Sequence, residues 1–403
     1  MKPSHIDWCP MIPDHWEEKR IKDIAFLQSG NSITAMDFVE DGKFPVYGGN
    51  GLRGYTNTYT NEGDYVLIGR QGALCGNINY AHGKFYASEH AVVVYPKKEE
   101  ITLWLGETLR TANLNRLSMT AAQPGLAVST LNLQFIPFPP KDERIRIAKY
   151  LDKKLSEIDH QVSLLTSKRD AYLRLKKSII NHAVTRGLNP NVKMKDSGIE
   201  WIGEVPEHWE VKRMKDICAL SPNIKSCSEY EYGSYLPMEG LRLDQIETSD
   251  ELVSTLQGKY TPFEDNDLLV AKVTPCFENG NIAIAKGLTN GVGFGSSEIF
   301  VLRANKYNNI RFLFYMSLSS KFQDKACATM CGVGGLKRIS PLFMKTYIMP
   351  IPPSTEQRAI ATYLDDKCAK IDTIVSNLDK QISRYADLKR SLIDEVITGK
   401  RAV

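Results

Sequence analysis

The sequence predicts an α/β fold built twice: two α/β domains, separated by two long helices that pair as an antiparallel coiled coil, in a pseudo-two-fold tandem repeat. Three observations carry that prediction. The opening "PDHWEEKRIKDI" at Pro13 returns as "PEHWEVKRMKDI" at Pro206, an offset of 193 residues. The stretch "PPKDERIRIAKYLD" from Pro139 returns as "PPSTEQRAIATYLD" from Pro352, an offset of 213. Behind each second block, apolar residues recur at alternating spacings of three and four, the period of a coiled-coil seam.

Taken in order, the elements divide as a first domain over 1–138, a long helix over 139–187, a linker over 188–198, a second domain over 199–351 and a second long helix over 352–403. The opening repeat begins before Pro13, since Ser4, Ile6, Asp7 and Trp8 match Ser197, Ile199, Glu200 and Trp201. Between the matched ends lie two dissimilar stretches, Ala25 to Phe138 and Cys218 to Ile351. They share a faint skeleton: "GDYVLIG" with "NDLLVA", "GNINYAHG" with "GNIAIAKG", and "SEHAVVVY" with "SEIFVLRA". Short β-prone runs punctuated by Gly and Asn, followed by one helical stretch (Ile101 to Leu117; Ile310 to Lys321), read as a compact α/β domain.

The first seam runs through Leu151, Leu155, Ile158, Val162, Leu165, Arg169, Tyr172, Lys176, Ile179 and Ala183. The second runs through Leu364, Cys368, Ile371, Val375, Leu378, Ile382, Tyr385, Lys389, Leu392 and Val396. Helices from about Glu143 to Thr185 and Glu356 to Thr398 are each expected to be about 64 Å long at 1.5 Å per residue. Neither can expose such a stripe to water, so the two are expected to pair with each other. Lys176 and Lys389 occupy the same place in the two seams and are expected to snorkel out of them, a register-setting role being the alternative. Gly187, Pro190 and Gly198 mark the linker "RGLNPNVKMKDSG", which ends the first helix.

Composition narrows the classes. With 403 residues, 42% of them hydrophobic, the chain can bury more than one core. No run reaches the roughly 18 apolar residues of a membrane span, and no apolar leader opens the chain. A cytoplasmic protein without a membrane partner is expected. Eight cysteines without close pairs are expected to be reduced thiols.

Catalytic patterns fail on context. "GNGLRG", Gly49 to Gly54, satisfies G-x-G-x-x-G, but Pro45 spoils the preceding strand and "YTNTYT" after it is not helical. Asp14, Glu17 and Lys19 are too closely spaced to converge on a metal from separate strands. Cys276, Cys327 and Cys331 lack the spacing and histidines of a zinc set. Ser88, Glu89 and His90 are consecutive and read as strand-end residues. No N-P-P-Y motif and no cofactor loop in proper context is present, so methyl transfer on this chain is not expected.

The duplicated "W-(I/C)-(G/P)-x-(I/V)-P-x-H-W-E" openings, the "P-x-P-P-x-x-E-(Q/R)" helix starts and the dissimilar stretches between them resemble the specificity subunit of type I restriction-modification systems. The likeness covers essentially the whole chain and lies in the combination and order of the blocks. Arg144 departs from the pattern, where the family usually has the Gln seen at Gln357. The resemblance implies two target-recognition domains, each reading one half of an asymmetric bipartite site in double-stranded DNA, with the paired helices as a ruler for the spacer. It implies two methyltransferase subunits docked on the repeated elements, and restriction and translocase subunits reached through them. It further implies a non-catalytic chain that binds no cofactor, S-adenosylmethionine being carried by the methyltransferase. A duplicated coiled-coil scaffold with no DNA role is the alternative.

Charge alone does not suggest DNA. Lys and Arg number 8 against 9 Asp and Glu in Phe26 to Phe138, and 13 against 13 in Ala219 to Ile351. The basic segment is Glu143 to Arg186, with 11 against 5, and a solvated helix face accounts for such a run. Base reading needs Arg, Lys, Asn and Gln on loops that reach the major groove. In the first domain "YGGNGLRGYTN" and "GRQGALCGN" offer Asn50, Arg53, Arg70, Gln71 and Asn77, with Gln123 on a later "AAQPG" loop. In the second, Arg242, Lys272, Asn279, Asn281, Lys337 and Arg338 are the corresponding candidates.

Overall fold

The computed structural model describes residues 1–72, 74–97, 101–118, 125–224, 229–333 and 335–403. Gln123 and Cys227 lie outside the described residues. Two compact units form: Met1–Thr166 with Lys380–Val403, and Ser167–Asp379. Each unit takes a part of both long helices, Lys141–Arg186 and Ser354–Ile397.

In the first unit eight strands make two four-stranded sheets. They are β1 (Ala25–Ser29), β2 (Phe44–Gly48), β3 (Gly51–Thr56), β4 (Asn61–Glu62), β5 (Tyr65–Gly69), β6 (Ile78–Ala81), β7 (Lys84–Ala87) and β8 (Ala91–Pro96). One sheet has the order β1-β8-β5-β6 and is antiparallel; the other has the order β3-β2-β7-β4, with β2 and β7 parallel. Period-2 alternation divides the apolar residues between two cores. Val66, Ile68, Val92 and Val94 face the core that holds Trp104 and the long-helix residues Leu151, Leu155, Leu392 and Val396. Leu67 and Val93 face Phe85 and Ala87 of the other sheet.

The second unit repeats this plan. Its strands are β9 (Cys218–Leu220), β10 (Tyr232–Leu236), β11 (Ser249–Leu252), β12 (Thr261–Glu264), β13 (Leu268–Ala271), β14 (Ile282–Ile284), β15 (Val292–Gly295) and β16 (Ile299–Ala304). The sheet orders are β9-β16-β13-β14 and β11-β10-β15-β12, again with one parallel pair, β10 with β15. Each strand has the place of its counterpart eight numbers earlier. Part of the extra length of the second domain lies between β10 and β11, as the hairpin Leu241–Arg242 with Gln245–Ile246. The helical stretch after β16 is two helices, Ile310–Leu318 and Ser320–Ala328. Ser319 leaves helical backbone at ψ 142°, and its hydroxyl accepts from the Phe322 N–H to start the second.

The repeated blocks meet each other in space. In the first unit Glu17–Arg20 pairs antiparallel with Phe135–Phe138, and in the second Glu210–Arg213 pairs with Ile348–Ile351. His15 Nε2 lies 2.8 Å from Glu143 Oε2, and His208 Nε2 lies 2.8 Å from Glu356 Oε2. The histidine of each opening therefore holds the glutamate of each helix start. At the departure from the family pattern, Gln357 Nε2 donates to the Pro352 carbonyl at 2.9 Å, while Arg144 Nη1 donates to the equivalent Pro139 carbonyl at 2.8 Å. Arg144 repeats that one bond and adds a stack on Phe138, 4.0 Å from the ring centre, whereas the Gln357 oxygen also accepts from Asn309 N–H at 2.7 Å.

The helices run antiparallel, as the contacts inside each unit show. In the first unit Leu151, Leu155 and Ile158 pack with Leu392, Ile393 and Val396; in the second Ile180, Ala183 and Val184 share a core with Ile360, Leu364, Cys368 and Ile371. Between these anchors Val162, Leu165, Tyr172, Val375, Ile382 and Tyr385 are half-buried, as is Ile179, while Leu378 is buried. The two seam lysines each reach an exposed aspartate of the facing helix. Lys176 Nζ reaches both oxygens of Asp372 at 2.6 and 2.7 Å, and Lys389 Nζ both oxygens of Asp159 at 2.7 and 2.8 Å. A seam ammonium has an aspartate of the facing helix within reach, and charge pairing outcompetes hydration there.

Candidate nucleic-acid interface

In the first unit three connections converge at one end of the sheets: the β2–β3 turn at Gly49 and Asn50, the β5–β6 loop from Arg70 to Asn77, and the β7–β8 corner from Ser88 to His90. Arg70 N–H donates to the His90 carbonyl at 2.9 Å, and Leu126 N–H donates to the Arg70 carbonyl at 2.9 Å. Glycine permits the approach, since a Cβ on Gly69 would stand 2.2 Å from the Gly49 carbonyl oxygen. The result is a cavity of about 690 Å³ lined by Asn50, Arg53, Gln71 and His90 among others.

The polar side chains there are held, not loose. Asn77 Nδ2 donates to Asn50 Oδ1 at 3.0 Å; His90 Nδ1 is 2.9 Å from Gln71 Oε1, and its Nε2 is 3.1 Å from Glu89 Oε1. Arg53 lies over the Phe38 ring, 5.7 Å from its centre. Five candidates, Asn50, Arg53, Arg70, Gln71 and Asn77, thus fall at one loop cluster, with Arg70 half-buried and the others exposed.

The equivalent end of the second unit is built from the β13–β14 loop, the β15–β16 corner at Ser296 to Glu298, and a hairpin, Cys331–Val333 with Leu336–Arg338, whose second strand is exposed. A bridge between Val273 and Arg338 stands where Gln71 meets Gly125 in the first unit. Lys272 N–H donates to the Glu298 carbonyl at 2.8 Å, and the Lys272 carbonyl accepts from Ile339 N–H at 2.9 Å. Lys272 Nζ donates to the Ser297 carbonyl at 2.7 Å over the Phe300 ring. Burial holds this ammonium below the usual lysine value, although Glu298 nearby works the other way. Arg338 is clasped by Glu298, with Nε 3.0 Å from both carboxylate oxygens and Nη2 2.7 Å from Oε1. That bond holds the Glu298 carboxyl below the usual value.

The structure brings Lys272, Lys337 and Arg338 together and leaves Asn279 exposed on the same loop. Asn281 is buried at 8% exposure, and its carbonyl accepts from Ala271 N–H, which sets it apart from the exposed candidates. Arg242 belongs to a different cluster: its hairpin is fastened through Asp244 to Arg311, whose Nε donates to Asp365 on the long helix at 2.7 Å. Glu89, His90 and Glu298 are not among the sequence candidates. The aligned "SEHAVVVY" and "SEIFVLRA" carry their signal, a glutamate repeated at the same corner of both domains.

Among the described residues no three His, Cys, Asp or Glu side chains are grouped to hold a metal ion. Seven cysteines among those residues are free, and burial pushes the Cys9 thiol up to about 11 and the Cys218 thiol up to about 12. No described helix is long and apolar enough to cross a membrane.

Comparison with known proteins agrees with this architecture. Similar proteins include the specificity subunit of the type I restriction enzyme EcoprrI of Escherichia coli, 40% identical over 141 residues; that match spans 34% of this chain and 35% of that protein. The MjaVIII specificity subunit of Methanocaldococcus jannaschii is 22% identical over 415 residues, covering 96% of this chain and 93% of that one. A chain from a solved structure concerned with complex assembly and conformational transition of the type I R-M system has the same fold, with a TM-score of 0.69 at 14% identity over 97% of this chain and 100% of that one. The type I restriction modification DNA specificity domain profile matches twice, over residues 13–164 and 206–384. With most of its length in those two matches, the chain belongs to the type I restriction modification DNA specificity domain family.

Proposed function

We propose that this chain is the sequence-reading subunit of a type I restriction-modification complex, each unit reading one half of an asymmetric bipartite site in double-stranded DNA. The observation that carries the reading is the equivalent loop cluster at the same end of two domains with one strand order, bearing different polar side chains in each. Equal frames suit equivalent docking of two methyltransferase copies, and unequal loops suit two different half-sites. Restriction subunits join through the methyltransferases. The chain itself catalyses nothing and carries no cofactor, S-adenosylmethionine being held by the methyltransferase in the cytoplasm. Surfaces for protein partners are at hand: Leu164 and Leu388 in the first unit, and Leu173 and Leu175 in the second, are exposed on the long helices.

The test is an exchange of Phe26 to Phe138 for the matching stretch of another family member, in a strain expressing the methyltransferase. Methylome sequencing should find one half of the modified sequence changed, with the other half and the spacer retained. A change in both halves together, or methylation by the isolated chain, defeats the reading.

A further inference from the structure

We propose that Arg338 reads a guanine in the half-site taken by the second unit, and that Glu298 is the positioning residue that aims it; the proposal rests on the DNA-reading role above. A guanidinium offers two edges for paired hydrogen bonds, one from Nε and Nη2 and one from Nη1 and Nη2. Glu298 takes the first edge, through Nε at 3.0 Å and Nη2 at 2.7 Å. Nη1 has no partner among the described residues and the Arg338 side chain is 49% exposed, so the second edge is free, and it matches the O6 and N7 acceptors of guanine.

The mount is rigid where the side chain must be aimed. The Arg338 backbone pairs with Cys331 on one side and bridges to Val273 on the other. Glu298 is fixed in turn, since its carbonyl accepts from Lys272 N–H and its own N–H donates to Ser296 Oγ at 3.2 Å. Lys272 Nζ sits at the same corner on the Ser297 carbonyl. A two-stranded ribbon fits the major groove, and the described side chains of this hairpin are exposed from Leu336 to Arg338. Glu298 also recurs: Glu89 occupies the same corner of the first unit and holds His90, which reaches Gln71. A carboxylate at this corner is thus a feature of both domains, holding a different side chain in each.

The test uses the full chain with its methyltransferase and S-adenosylmethionine on duplexes randomised in both half-sites. Arg338→Ala should reduce discrimination for guanine at one position of the second half-site by roughly 5- to 150-fold (about 1–3 kcal/mol) and leave the first half-site and spacer unchanged. Glu298→Gln should relax that same position by a smaller factor, which a merely structural role would not do. Arg338→Met, which keeps the apolar stem, should behave as Arg338→Ala if the latter folds poorly. An unchanged preference at every position overturns the proposal. So does a uniform loss across all sequences with the salt slope reduced by about one, the mark of a phosphate contact. If the unaltered complex modifies no bipartite sequence, the DNA-reading role itself fails before any variant is compared.

Discussion

Replacing Asp372 by Ala should harm the protein more than replacing its partner Lys176 by Met, although both break one ion pair. The Lys176 side chain is 18% exposed and that of Asp372 is 55% exposed. Loss of the aspartate leaves the ammonium of a mostly buried side chain without its partner, whereas loss of the lysine leaves a carboxylate that water solvates and adds an apolar group to the seam. An orphaned buried charge costs several kcal/mol at full burial; with one partner half in solvent, screening reduces this to about 1–2 kcal/mol for Asp372→Ala. Lys176→Met should fall within about 0.5 kcal/mol of the parent. Thermal unfolding of the full chain, followed by the transition of the second unit, should show Asp372→Ala lower by roughly 2–8 °C. The double variant should match Lys176→Met alone. Equal losses for the two single variants, or a greater loss for Lys176→Met, would refute the idea that burial of the ammonium sets the cost.

Three more outcomes are expected. Gly399→Ala should lower the melting temperature of the first unit, because its φ is +71° and a Cβ would stand 2.4 Å from Pro13 Cγ; calorimetry checks it, and an unchanged melt would contradict the packing. In an acid titration followed by NMR, Glu298 should titrate below the usual carboxylate range. The stabilisation from its clasp is complete above the ordinary carboxylate value and disappears as pH falls through the lowered one, and Arg338→Met should restore the ordinary midpoint. Inserting one heptad after Thr166 and one after Asp379 keeps both seams and adds about 10.5 Å of helix, so methylome sequencing should find a longer spacer or no modification. Full activity at the original spacer would show that the helices do not set it.

The duplication was legible because "PDHWEEKRIKDI" and the "PP" helix starts are bound by mutual contact: His15 needs Glu143, and His208 needs Glu356. The seams were legible because a stripe spaced by three and four has few alternatives. The parallel pairing of β2 with β7 was not, since it joins Val46 to Tyr86 across forty residues with no local signal. At the loop cluster, residue type pointed to Asn50, Arg53, Arg70, Gln71 and Asn77, which converge. It could not foresee the burial of Asn281, which follows from tertiary packing, or separate Arg242, whose hairpin is fastened at Asp244 to Arg311 and through it to the long helix. Glu298 gives no such signal because a carboxylate is a poor binder of phosphate when considered alone; its value lies in the arginine it orients.

The short ladders at the feet of the domains have an evolutionary meaning. Glu17–Arg20 lies beside Phe135–Phe138, and Glu210–Arg213 beside Ile348–Ile351. Each of the two dissimilar stretches therefore leaves its frame and rejoins it at neighbouring points, closed by four paired residues that belong to the frame. Closure entropy grows only slowly with loop length, so stretches of different size can occupy the same socket at little extra cost. Under the proposed function, genetic crossovers within the repeated blocks would carry a whole reading module from one gene to another without disturbing the histidine–glutamate clasp or the helix starts. On that proposal, new pairings of half-sites would arise by shuffling intact parts, faster than by point changes within a reading surface.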